Sequence, residues 1–353
     1  MTAIECVTNV VRLVHGTVFP DPERGQAHAA PAPAPPPPSH HFVVRSGVVA
    51  IAMLCGVLML PSPGALGTPI TYSAAENPAA FGWLDQYSLD NSTYHFVGNE
   101  ACVPTSTTNA MTYLQNVAPS IFGTSLTGTS YADWIATDAL LISPAYMDTT
   151  PRDGTYTGPQ FYGTTKYITE TMGFTQVSFG GQAPSDAWGT GIYAKPAWVV
   201  DGFPTWEYLF GALSAGQAAV FTIEYADGGG HGLLAQGFQW TDANGDGTIQ
   251  KDENAALTFV DPLDPAFYTA GIPSSGPKLT SAHIWNDADA PGGKLKFDYT
   301  QYWGQLPYDA ANYGLVKDAK IDSLLTIIVP EPALIGPAGM MIGWLLLGRR
   351  RRA

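Results

Sequence analysis

The chain has 353 residues, 45% hydrophobic and 12% aromatic, enough apolar content to bury one large core or two small ones, which excludes a wholly disordered protein. Charged residues make up only 13%, alongside 38 Gly and 29 Pro, a balance that favours a loop-rich extracellular protein over a helical cytosolic one. Between residues 68 and 330, 9 Lys+Arg face 26 Asp+Glu for a formal charge of −17; this argues against nucleic acid as a partner, because phosphate binding needs basic patches, and favours solubility and cation binding.

Residues 1–41 form an Ala/Pro-rich leader with the run Ala30 to Pro38, which cannot bury enough apolar surface to offset its ordering entropy and is expected to be disordered. Residues 42–67 then read as a signal peptide. Arg45 precedes an apolar run from Gly47 to Leu60, a break at Pro61, Pro63 and Gly64, and the small-residue pattern Ala65-Leu66-Gly67, in the order of n-region, h-region and cleavage site. The apolar run is shorter than the ~20 residues a bilayer span needs. It implies export across the inner membrane by the secretion machinery.

Cleavage there leaves Cys102 as the one cysteine of the mature region, because Cys6 lies in the leader and Cys55 in the signal. A lone exported cysteine is an accident, an intermolecular link or a reactive thiol. From Cys102 to Leu114, Pro104 in the first turn and apolar positions 103, 110, 111 and 114 predict a helix that begins at the cysteine. A thiol at a helix N-terminus sits at the positive end of the macrodipole, which favours the nucleophilic thiolate.

Thr205 opens a second helical pattern, with Trp206, Leu209, Phe210 and Leu213 apolar and Gly216 at its end. A strand-like run from Ala218 to Tyr225 follows, then the turn Gly228-Gly229-Gly230, His231, and a second strand-like run from Leu233 to Trp240. Residues 242–253 satisfy the spacing of an EF-hand calcium loop. Asp242, Asn244 and Asp246 supply oxygens at positions 1, 3 and 5, Gly245 and Gly247 open the turn, and Glu253 stands at position 12. The backbone carbonyl of Thr248 and the side chain of Gln250 complete the ligand set for a structural Ca2+, in an EF-like loop inserted in a hairpin rather than between helices. Leu257 to Val260 reads as a strand that ends at Asp261-Pro262, and Lys294 to Tyr299 and Ile321 to Ile328 read as two more.

The segment opened by Cys102, with its Pro-Thr-Ser turn and a helix ending in Tyr113-Leu114, resembles the nucleophile helix of papain-like cysteine peptidases, especially the bacteriocin-processing type. The resemblance runs in order from about Asn99 to Asp261. It implies an α+β, papain-like fold over residues 68–328, with the N-terminal nucleophile helix packed on a twisted antiparallel sheet and the site in the cleft between them. It also implies roles. Cys102 would be the nucleophile, His231 the base, and Asp261, which follows the strand after the histidine strand, the group that orients the imidazole, with Asp264 its local competitor. His95 lies too close in sequence to Cys102 to face it across a cleft, and His283 follows a loop of no clear pattern. The family's oxyanion-hole glutamine is missing. Asn99 is the nearby side-chain amide that would stand in for it, since Glu100 cannot donate when ionised.

At the C-terminus, residues 329–353, Val329-Pro330-Glu331-Pro332 precede an apolar stretch from Ala333 to Leu347 and the cluster Arg349 to Arg352. This tail resembles the PEP-CTERM sorting signal of Gram-negative bacteria. The resemblance implies a transmembrane sorting helix with its arginines on the cytoplasmic side, processing by an exosortase near Pro330 to Pro332, and delivery to the cell surface or exopolysaccharide matrix. An ordinary C-terminal anchor would give the same topology but leave the protein in the membrane. Two functions follow: a peptidase or amidase acting on a peptide substrate outside the inner membrane, or a non-catalytic, calcium-stabilised surface or matrix protein.

Overall fold

The computed structural model describes residues 69–86, 100–226, 228–263, 277, 279–287, 294–300 and 316–330. The leader, the signal segment, Asn99, His95, Asp264 and the sorting tail beyond Pro330 lie outside the described residues.

Nine strands pair into one sheet among the described residues: β1 (Ile70–Ala75), β2 (Ser178–Ala183), β3 (Val199–Asp201), β4 (Ala218–Tyr225), β5 (Gly230–Asp242), β6 (Ala256–Val260), β7 (Leu279–Asn286), β8 (Leu295–Thr300) and β9 (Val316–Ile328). Strands β4 to β9 pair in sequence order, each antiparallel to the next, and β9 returns to β4. The result is a closed six-stranded barrel. β1 extends it along β5, while β2 pairs with β9 and carries the parallel strand β3.

Alternation of side chains along the strands explains both faces. Phe221 (β4), Phe259 (β6) and Phe297 (β8) are fully buried and meet with ring centroids 5.4–6.2 Å apart, so the lumen is filled with side chains as small barrels require. The neighbouring residues Val220, Leu234, Val260 and Ile327 belong to a second apolar cluster, with Val103, Ala110, Met111 and Leu114 of helix α1 (Cys102–Val117). Four further α-helices are described: α2 (Pro119–Phe122), α3 (Tyr131–Ile142), α4 (Thr157–Lys166) and α5 (Trp206–Ser214). Thr205 caps α5 by accepting from the Tyr208 N–H, and Gly216 closes it at φ +65°.

The helix beginning at Cys102 and the strand pair around His231 form where the sequence puts them, but the papain-like helix-on-sheet fold is overturned. The sheet closes on itself, sheet outweighs helix, and the barrel is the organising element. Alternation identifies a strand without naming its partner, and the closing contact joins β4 to a strand far along the chain. Strands β1, β2, β3 and β7 have no counterpart in the sequence reading. Among the described residues no helix is long and apolar enough to cross a membrane; the expected sorting helix lies beyond them.

Candidate active site

Helix α1 is unusual in being buried on nearly every face while carrying polar side chains: Thr105, Ser106, Thr107, Thr108, Asn109, Thr112 and Gln115 are all inaccessible. Buried polar groups are tolerated when hydrogen-bonded, and most of these serve as ties. Thr105 Oγ1 donates to Asp138 Oδ2 at 2.8 Å, Asn109 exchanges bonds with the Leu84 backbone at 2.8 and 2.9 Å, and Ser106 Oγ donates to the Gly232 carbonyl at 2.9 Å. The last tie fixes α1 to the residue next to His231.

Close approach at that point depends on glycine. A Cβ on Gly232 would lie 2.7–2.9 Å from Val103 Cγ2, Cα and N, closer than real Cβ atoms come. The glycines of the preceding turn could have been expected to serve this approach. Gly228 and Gly229 instead take φ +93° and +80° in the turn, and Gly230 faces β4, where a Cβ would meet the Ile223 carbonyl at 2.5 Å.

The structure brings three of the expected residues together. Cys102, half-buried, is the first residue of α1, where the helix-start N–H groups, its own among them, have no helical acceptor. His231 is the second residue of β5 and is 3% exposed. Its Nε2 lies 2.8 Å from Asp261 Oδ1, and Cys102 is near enough to act on the same imidazole. Register explains the meeting: Leu234 pairs with Val260, so the chain leaving β6 passes His231 as Asp261-Pro262.

Asp261 is fully buried and held by three donors. Besides His231, the Leu263 N–H donates to Oδ1 at 2.8 Å and the Tyr299 hydroxyl to Oδ2 at 2.7 Å. Burial works to push the His231 imidazole down, but the charge and hydrogen bond of Asp261, joined by those of Cys102, outweigh it and raise it to about 10. Burial, then the Asp261 charge, pushes the Tyr299 phenol well above its usual range, so it remains a neutral donor. Tyr299 is absent from the sequence reading. The signal was there: Leu295, Phe297 and Tyr299 alternate on one face of β8 and are all buried, yet the last carries a hydroxyl that needs a partner.

Cys102 and His231 open onto a cleft of about 540 Å3, lined also by Glu100, Asp153, Tyr156 and Asp322. His283 lies in β7 opposite Ala256, beside the Trp285 ring, and is not among the cleft residues. The arrangement sets a thiol beside an imidazole that a carboxylate holds, the groups nucleophilic catalysis uses.

The calcium-type loop occupies the other end of the same hairpin, joining β5 to β6. Asp242 accepts from the Gly245 and Gly247 N–H groups, Asn244 from Asp246 N, Asp246 from Thr248 N, and Glu253 from Ala243 N, Gln250 N and Trp240 Nε1. Ile249, at position 8, is buried and ties to Asn286 twice: its N–H donates to Asn286 Oδ1 at 2.8 Å, and its carbonyl accepts from the Asn286 N–H at 2.9 Å. Among the described residues no three His, Cys, Asp or Glu side chains converge as a metal cluster.

No family model matches the chain, and no curated protein matches it. Neither a papain-like domain nor a sorting signal is identified by these comparisons.

Proposed function

We propose that this is an exported cysteine hydrolase that cleaves peptide or amide bonds, built on a closed barrel, with Cys102 as nucleophile, His231 as acid–base and Asp261 as orienter. The observation that carries the reading is the buried His231 held at 2.8 Å by Asp261 on one ring nitrogen, with Cys102 acting on the same imidazole, at the mouth of a cleft. In the reaction, Cys102 Sγ attacks the carbonyl carbon. The tetrahedral oxyanion is met by the free N–H donors at the start of α1. His231 then gives its proton to the leaving amine as the C–N bond breaks, leaving a thioester. Water, deprotonated by His231, attacks that thioester and returns the thiol.

Export rests on the signal-like segment at 42–67, and exosortase processing with delivery to the surface or matrix rests on the Pro330-Glu331-Pro332, apolar and arginine order. A structural Ca2+ at Asp242, Asn244, Asp246, Thr248, Gln250 and Glu253 rests on their EF-hand spacing.

The test is alkylation of Cys102 by a neutral electrophile, read by peptide mass spectrometry. The native thiol is expected to react faster than free cysteine at neutral pH, and His231→Ala to slow it by roughly 100-fold or more. Equal rates for the two proteins would refute the hydrolase.

A further inference from the structure

The cleft is lined by four carboxylates, Glu100, Asp153, Glu224 and Asp322, against one guanidinium, Arg152. They divide into two groups with different surroundings. On the barrel side, β9 has one residue more than β4 between the pairs Thr222–Ser323 and Ile223–Ile321, and the extra residue is Asp322. Such a bulge re-aims a side chain. This side already holds its own cations: Lys320 Nζ lies 2.7 Å from Glu224 Oε2, and both Lys320 and Lys294 act on Asp322.

The other side is different. Glu100 stands two residues before the nucleophile, and the turn closed by the Thr150–Gly154 bridge lays Asp153 and Gly154 beside it; a Cβ on Gly154, at φ +68°, would lie 3.3 Å from Glu100 Oε2. Arg152 approaches Asp153 only at 3.8 Å, with its side chain 92% exposed, a geometry that contributes little. Among the described residues no ion pair reaches Glu100. Among the described residues, two carboxylates thus act on each other beside Cys102, with the His231 charge and this loose arginine near them.

We propose, resting on the hydrolase reading above, that the cleft selects peptides carrying a Lys or Arg side chain, which seats against Glu100 and Asp153 next to the scissile bond. A substrate cation supplies the charge that this wall lacks, and the wall disfavours acidic side chains at the same position. Burial, then the Asp153 charge, raises Glu100 to about 7 against the opposing pull of His231. A bound cation draws the carboxyl back to its ionised form, so recognition strengthens as pH rises through about 7.

The test uses the full chain and two thiol reagents of like size, a trimethylammonium and a sulfonate methanethiosulfonate, with modification of Cys102 read by peptide mass spectrometry. Each rate is normalised to that of free cysteine. The cationic reagent is expected to be favoured by on the order of 10-fold, through focusing of the field in the cleft. Glu100→Gln with Asp153→Asn removes most of that preference, while Glu170→Gln, an exposed site far along the chain, leaves it in place. In a peptide mixture, the double variant lowers kcat/KM for Lys and Arg peptides relative to neutral ones by roughly 10-fold or more. A brisk reaction of Cys102 with no preference for the cation, or a preference that survives the double variant, overturns the cation subsite and leaves the hydrolase standing. A Cys102 no faster than free cysteine toward either reagent overturns the hydrolase and this inference with it.

Discussion

The two ends of the β5–β6 hairpin carry the two motifs of this protein, and they are built in opposite ways. At the Asp242–Glu253 end most hydrogen bonds join residues within the same loop, with Trp206, Trp240 and Asn286 as the outside partners. At the His231–Asp261 end the partners come from far along the chain: Cys102 and Ser106 from α1, Tyr299 from β8. One end is a local device that a short peptide segment specifies; the other exists only when helix and barrel have docked. Substitutions that disturb docking should therefore destroy the second and spare the first.

The strongest way to break the comparison is Gly232→Ala. The added methyl would sit within 3 Å of the Val103 backbone, which cannot yield as a side-chain tip can, so α1 must move away from β5. Overpacking of this kind costs about 1–3 kcal/mol. Cys102 alkylation is expected to fall at least 10-fold, because a thiol–imidazole pair tolerates little displacement. Urea denaturation and alkylation of the same sample measure both. Wild-type reactivity in this variant would show that the close approach at Gly232 does not position the pair.

A sharper probe asks whether Asp261 or burial governs His231. With Asp261 in place the imidazole stands raised to about 10; burial alone works in the other direction. The NMR titration of His231 should therefore lie well above the ordinary 6.5 in the wild type and fall to or below it in Asp261→Asn. The linked stability follows the same sign. A raised folded-state value contributes stability that is complete below about 6.5 and is lost as pH rises through about 10. The gap in urea midpoint between wild type and Asp261→Asn should accordingly be widest in acid to neutral solution and narrow toward pH 10. A gap independent of pH would place the role of Asp261 in packing alone.

Local signals made much of the site legible. The helix start at Cys102, the cap at Thr205, the glycine turn before His231 and the strand ending at Asp261 are each written in a few neighbouring residues. What the sequence does not carry is closure. Nothing in the alternation of Ile321 to Ile328 says that β9 will pair with β4 on one edge and with β8 and β2 on its other side, and the helix-on-sheet expectation failed there. Tyr299 was missed for the same reason, since its hydroxyl meets Asp261 only because β8 takes its place in the closed barrel. Glu100 was set aside as an ionised group, before burial and Asp153 could be seen to hold it near 7.

The smallest expected effect belongs to the local end. Position 1 of the calcium-type loop, Asp242, is buried and already satisfied by the Gly245 and Gly247 N–H groups, and the buried Ile249 anchors the loop to β7 through Asn286. The loop is thus shaped by its own bonds, and a bound Ca2+ would add to a structure already formed instead of creating one. If its affinity is that of extracellular modules, about 10⁻⁴ to 10⁻³ M, free Ca2+ at about ten times Kd stabilises the folded state by about 1.4 kcal/mol. For a domain of this size that is a rise in Tm of about 3–6 °C. Asp246→Asn should remove most of the increment while leaving the metal-free Tm nearly unchanged, because Asp246 is exposed. Cys102 alkylation should stay within about twofold in chelator, since β5 separates His231 at its start from Asp242 at its end. A Tm indifferent to Ca2+ in differential scanning calorimetry would remove the metal from this loop. A large loss of Cys102 reactivity on chelation would instead show that the two ends of the hairpin are coupled, against the division drawn between them.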